Sequence, residues 1–118
     1  MTNYIWITAQ KEFTHSWKNA KDDVEFLKYE HRHLFKFKVW IQVFTDDRDI
    51  EFIQFKRFIE SFLNNKLCDM SNTSCEMMSD AIAHVVSVKH PNRDIKIEVS
   101  EDGENGSEKF YPKEKNGN

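Results

Sequence analysis

Glycine and proline are scarce, with three and two among 118 residues. No phosphate-cradling loop of the GxxxxGK[ST] type can be written anywhere along the chain. Cysteine is equally scarce. Cys68 and Cys75 are separated by six residues, which is not the CxxC spacing of a structural metal site. Long apolar runs are missing: a stretch such as Tyr4-Ile5-Trp6-Ile7 falls far short of the ~20 residues of a membrane-spanning helix. The opening MTNYIWITAQKEF has no basic segment followed by an extended apolar one, so no secretory signal is expected. On that expectation both thiols are reduced and the protein is cytoplasmic. Neither sign of charge dominates. Seventeen Lys and Arg meet twenty Asp and Glu, a net charge of -3, which argues against a broad nucleic-acid surface though not against a local basic patch.

What the chain does have is aromatic bulk. Ten phenylalanines and three tryptophans can build a core, which excludes wholesale disorder. The length is that of one domain. Neither a repeat nor a linker interrupts residues 1–111, so a single domain is expected there, followed by a frayed tail over 112–118, PKEKNGN.

Hydrophobic periodicity gives the elements. Tyr4–Phe13 reads as a strand with Ile5 and Ile7 on one face and Tyr4, Trp6 and Thr8 on the other. Trp17–Tyr29, which carries KNAKDD, is ambiguous and loop-like. His31–Phe44 is the clearest strand. Its odd positions, from His31 and His33 through Phe35, Phe37, Val39, Ile41 and Val43, share the face expected to be buried. Arg32, Lys36, Lys38 and Gln42 take the other face, which Trp40 and Phe44 interrupt in the manner of a subunit contact. The three cations there are a local patch, for which a solvated sheet face is the commoner reading.

Residues 51–65 predict a helix whose stripe is Phe52, Phe55, Ile59 and Phe62, widened by Phe58 and Leu63. A second helix is expected from Thr73, where Thr73-Ser74-Cys75-Glu76 fits a capping box, with Met77, Met78, Ala81, Ile82 and Val85 as its stripe. His90-Pro91-Asn92 ends it. Met70, Met77 and Met78 read as core filler. Asp94–Glu101 alternates again, with Ile95, Ile97 and Val99 inward. GENG at 103–106 reads as a turn in a polar stretch from Ser100 to Glu108, and Phe110-Tyr111 as the start of a short last strand. The class is α+β: an antiparallel four-stranded sheet with two helices on one face.

Histidines carry the chemistry. On a strand, His31 and His33 point the same way with Cα atoms ~6.6–6.8 Å apart. Two imidazoles at that spacing can converge on one ion at ~2.0–2.1 Å per Zn–N bond. HxH also arises as a pair of satisfied core histidines. The position of this pair at the head of the apolar face, with His15 ending another strand, points to metal. Three imidazoles and an open fourth position make a catalytic rather than a closed zinc site. His84 and His90 read as surface or half-buried histidines.

Taken together, His15, the His31-Arg32-His33 triplet, Phe52-Ile53-Gln54-Phe55, Asn72-Thr73-Ser74-Cys75-Glu76 and Val99-Ser100-Glu101-Asp102 resemble the pyruvoyl-/carboxy-tetrahydropterin synthase family over about residues 5–111. The resemblance implies the tunnelling fold, zinc on His15, His31 and His33, and a zinc-dependent carbon–oxygen lyase acting on a dihydropterin-type substrate. It also implies that Glu101 anchors the substrate ring, and that the chain assembles as a trimer or hexamer. In phase with Ile95, Ile97 and Val99, Glu101 would face inward at its strand's end, where ring N–H donors would satisfy it; spacing alone favours the start of a solvated loop with Asp102 and Glu104, and the resemblance favours anchoring. The family's proton-transfer groups are not carried over. Its cysteine position falls on Leu27, and its Asp-His pair on Asn64 and Asn65, so the catalytic residues are unassigned. The expectation is therefore a zinc protein that acts on or binds a pterin-like molecule. The alternative is a non-catalytic tunnelling-fold protein for a purine- or pterin-like ligand or a protein partner.

Overall fold

The computed structural model describes residues 2–66 and 68–113. In it β1 (Asn3–His15) and β2 (His31–Val43) form an antiparallel ladder without a break, from Asn3 against Val43 to His15 against His31. A 3-10 stretch, Asp22–Lys28, sits in the ambiguous span between them. Two helices follow, α1 (Phe52–Leu63) and α2 (Cys75–Lys89), and then the hairpin of β3 (Ile95–Glu101) and β4 (Asn105–Tyr111). The sheet has the order β1-β2-β3-β4, every neighbour antiparallel, with both helices on one face. This is the expected α+β architecture.

Strand alternation explains the layering. Phe35, Phe37, Val39 and Ile41 of β2 are buried, as are Ile7 and Ala9 of β1 and Ile95, Ile97 and Val99 of β3. Helix α1 covers this face over β1 with Phe55, Ile59 and Leu63, and α2 covers it over β3 and β4 with Met78, Ile82 and Val86. Each such side chain contributes ~1.5–3 kcal/mol by leaving water.

Several expectations are corrected. Strand β1 runs to His15 rather than Phe13, because β2 supplies a partner for every residue as far as His31. Phe52 is exposed: it lies at the first position of α1, beside the open edge of β1, beyond the end of the core. The N-cap of α1 is Glu51, whose carboxylate accepts from the N–H groups of Ile53 and Gln54. The cap of α2 is Ser74, accepting from Met77 N–H at 3.1 Å, because the Thr73 hydroxyl donates to the Met70 carbonyl instead. The buried stripe of α2 is thus Cys75, Met78, Ser79, Ile82, Ala83 and Val86; Met77 faces outward and is not core filler. The polar stretch before Phe110 is not a loop. Only Asp102–Glu104 turn, with Asp102 and Gly103 at φ of 58° and 74°, and Asn105 already pairs with Glu101. An edge strand need not bury either face, so β4 carries no apolar alternation.

On the helix-free face, Trp6, Trp40, Lys96 and Phe110 make one row across all four strands. Lys38 Nζ lies 4.2 Å and 4.7 Å from the ring centres of Trp6 and Trp40, and Lys96 Nζ 4.4 Å from Trp40. Arg32 pairs with Glu12 at 3.4 Å. Phe44 lies just past β2 under the Arg93 guanidinium, 4.5 Å from its ring centre. Of the tail, Lys113 N–H donates to Asp94 at 2.8 Å, and residues 114–118 lie outside the described residues.

Gly106 is the tightest point of the hairpin. A Cβ there would meet the Val99 carbonyl oxygen and come within 2.6 Å of Ser100 Cα. Backbone atoms cannot turn aside as a side chain can. Gly106→Ala is expected to destabilise the fold by at least ~1–3 kcal/mol, the cost of overpacking. Urea unfolding checks this, and an unchanged midpoint contradicts it.

Candidate metal centre

The last pair of the β1–β2 ladder sets His15 directly across from His31, and His33 follows two residues along β2 on the same face. Ring centres stand 4.5 Å apart for His15–His31, 5.0 Å for His31–His33 and 5.5 Å for His15–His33. All three sequence-predicted histidines are therefore brought together. His84 is exposed on α2 and His90 ends that helix against Phe55, so neither joins them.

Each ring is fixed from outside by its Nδ1. That of His15 lies 2.8 Å from the Thr73 carbonyl, that of His31 2.9 Å from the Tyr29 carbonyl, and that of His33 2.7 Å from Asp102 Oδ2. Carbonyl oxygens only accept, so the first two Nδ1 atoms carry protons. The Asp102 carboxyl is held below its ordinary range by the Leu34 backbone N–H and then by His33 itself, so it is ionised and accepts as well. The lone pairs are left on Nε2, the tautomer that metal ligation uses. One nitrogen from each ring lies within 4.8 Å of the others. Three such atoms around one ion at ~2.0–2.1 Å stand ~3.3–3.4 Å apart in a tetrahedral arrangement, so modest ring rotation closes the group.

His15 Nε2 tests whether a cation fits. It is buried and has no hydrogen-bond partner, an arrangement that costs free energy unless something electropositive meets it. Its nearest charged neighbour is Glu101 Oε2 at 3.3 Å, which also lies 3.9 Å from His33 Nε2. The three imidazoles, whose ligand nitrogens lie within 4.8 Å of one another, are the group that could hold a metal ion.

Beside the histidines opens a cavity of about 540 Å³, whose walls include Trp17, Leu27, Cys75, Met77, Glu101 and Asn105. Leu27 lies on this wall, while Asn64 is at the end of α1 and accepts from Lys11 Nζ at 2.5 Å. Burial, and then the charges of Glu101 and Glu76, push the Cys75 thiol up to about 11. Sequence reasoning missed Asp102 as the residue holding His33, Thr73 as the one holding His15, and Cys75 as part of the wall. Only the position of Asp102 next to Glu101 offered a signal.

A three-histidine group beside a cavity, at the end of a four-stranded α+β sheet, defines the class of site. In comparisons with known proteins, no family model matches the chain and no curated protein matches it.

A thiol that ionises near 11 keeps only ~1 part in 1,000 as thiolate at pH 8, and the thiolate is the nucleophile. Iodoacetamide is expected to label Cys75 slowly in the folded protein at pH 8 and readily once urea unfolds it. Mass spectrometry of the Cys75 peptide reads the difference, and rapid labelling of folded protein contradicts it.

Proposed function

We propose that the chain is a divergent, zinc-holding relative of the pyruvoyl-/carboxy-tetrahydropterin synthases with the tunnelling fold, and that it binds a pterin- or purine-like ring. The observation that carries the reading is the unpartnered His15 Nε2, turned toward His31 and His33 at the mouth of a cavity. Three imidazoles with no thiolate among them suit zinc. Zinc, when bound, supplies a Lewis acid that polarises an oxygen of the ligand's side chain.

The chain's own residues do the rest. Thr73, Tyr29 and Asp102 hold the ligand tautomer of the three rings. Glu101, on the cavity wall, accepts from the amino and ring N–H groups of a pterin. Trp17 and Met77 line the same cavity and cover the apolar part of the ring. No proton carrier stands where the resemblance would place one: Leu27 is a hydrocarbon, and Asn64 and Asn65 are amides.

Binding without the family's turnover is therefore the favoured reading, and a zinc-dependent carbon–oxygen lyase is the second. General acid–base help is worth ~10²–10⁴-fold in rate. Product formation from dihydroneopterin triphosphate should fall below that of a family enzyme by at least this factor, while wild type binds a pterin more tightly than Glu101→Ala does. Robust turnover contradicts the first expectation, and equal binding by the two proteins removes Glu101 from the ligand site.

The same reading makes the protein a homo-oligomer. Strand β1 presents thirteen residues at an edge of the sheet with no strand beyond it, and such an edge is a template for pairing with another chain. Trp6, Phe44 and Phe110, exposed on or beside the sheet, suit a subunit contact. Light scattering at tens of micromolar should give three or six times the 14.1 kDa chain, and a monomer mass contradicts it.

A further inference from the structure

We infer that the cavity beside the histidines takes an uncharged, unphosphorylated heterocycle, and that Glu76 on its wall turns phosphate esters away. This rests on the reading of the cavity as the ligand site and narrows what the ligand is.

The charge of the wall is one-sided. Among the described residues that line the cavity there is no lysine and no arginine, while Glu76 and Glu101 both stand on it. Asp102 adds a third carboxylate behind His33, 2.7 Å from its Nδ1. With zinc bound, the three carboxylates still outnumber its two positive charges. Burial, and then the charges of Glu101 and Glu76, raise the Cys75 thiol to about 11, so both carboxylates act on one place in the wall. Two like charges ~4 Å apart disfavour contact about fivefold even in water, and more at a protein surface.

Hydrogen bonding works in the same direction. A phosphate is held by donors, and the donors here are spent on the protein itself. Ser16 Oγ donates to Asn72 Oδ1 at 3.1 Å, and Asn105 Nδ2 to Glu101 Oε1 at 3.1 Å. The Nδ1 protons of His15 and His31 go to the Thr73 and Tyr29 carbonyls, and the Trp17 N–H to the Leu27 carbonyl. What the wall offers is carboxylate oxygen. A neutral ring with amino and N–H groups complements it, and a phosphoryl group does not.

One feature of the wall would favour an anion, the start of α2, where Ser74, Cys75 and Glu76 line the cavity. Ser74 Oγ accepts the Met77 N–H there at 3.1 Å, and Glu76 places a negative charge in the first turn. Glu76 thereby answers the helix end in place of a phosphate.

The test follows the fluorescence of neopterin and of neopterin monophosphate titrated with full-length wild type, Glu76→Gln and Glu76→Lys, each with and without one equivalent of zinc. Glu76 is exposed, and circular dichroism checks that both variants are folded. Wild type should bind neopterin at least ~5-fold more tightly than the monophosphate, with or without zinc. Raising the salt should shrink that preference. Glu76→Gln should narrow it, and Glu76→Lys should narrow it further. Monophosphate bound by wild type as tightly as neopterin would overturn the inference and leave the ring-binding reading standing. A preference that survives intact in both Glu76 variants, or that salt leaves unchanged, would overturn it as well, since the Glu76 charge would not be what excludes the phosphate. Neither compound bound by wild type would overturn the ring-binding reading, and the inference with it.

Discussion

The register of the β1–β2 ladder is the constraint on which the rest of the molecule depends. Thirteen residues of each strand pair in unbroken succession, and the ladder ends with His15 against His31. Strand side chains alternate faces, so a slip of one residue would turn Ile7 and Ala9 out of the core and carry His15 to the opposite face from His31 and His33. The core therefore enforces the site: burying Ile7, Phe37, Val39 and Ile41 under the helices leaves the three imidazoles only one side of the sheet to occupy. The β2–β3 ladder adds Glu101 in the same way, opposite Phe35.

Around that frame the polar groups are arranged to hold rings rather than to fill space. Thr73 reaches His15 from the turn before α2, Tyr29 reaches His31 from the segment before β2, and Asp102 reaches His33 from the β3–β4 turn. Three separate connections thus converge on three Nδ1 atoms. Asp102 takes a left-handed backbone conformation, with φ of 58°, to do so, and its N–H donates to the Leu34 carbonyl at 2.8 Å. A short polar turn is in this way tied to β2 by both its backbone and its side chain.

Much of this was legible in the residues because strand alternation is a strong signal. The face shared by His31, His33, Phe35, Phe37, Val39 and Ile41 needs only period-2 reading, and His15 needs only its place after a strand. What was hidden depends on contacts distant in sequence. The Thr73 carbonyl lies 58 residues from His15, and the Asp102 carboxylate 69 from His33. The stripe of α2 was misplaced because Thr73 and Ser74 are both competent caps, and the choice turns on the hydrogen bond that Thr73 gives to Met70. Strand β4 was only half seen, since an edge strand of Asn, Gly, Ser, Glu and Lys has the composition of a loop. Phe52 has the right angular position for the core but lies past its end, a matter of helix placement that periodicity cannot carry.

On this reading, three imidazoles from two strands share one metal ion. X-ray absorption at the zinc edge, on protein loaded with one equivalent, reads this directly. The expected result is a four-coordinate ion with three imidazole nitrogens and one oxygen at ~2.0–2.2 Å and no sulfur. A shell with fewer than three imidazoles, or with a sulfur ligand at ~2.3 Å, would contradict it.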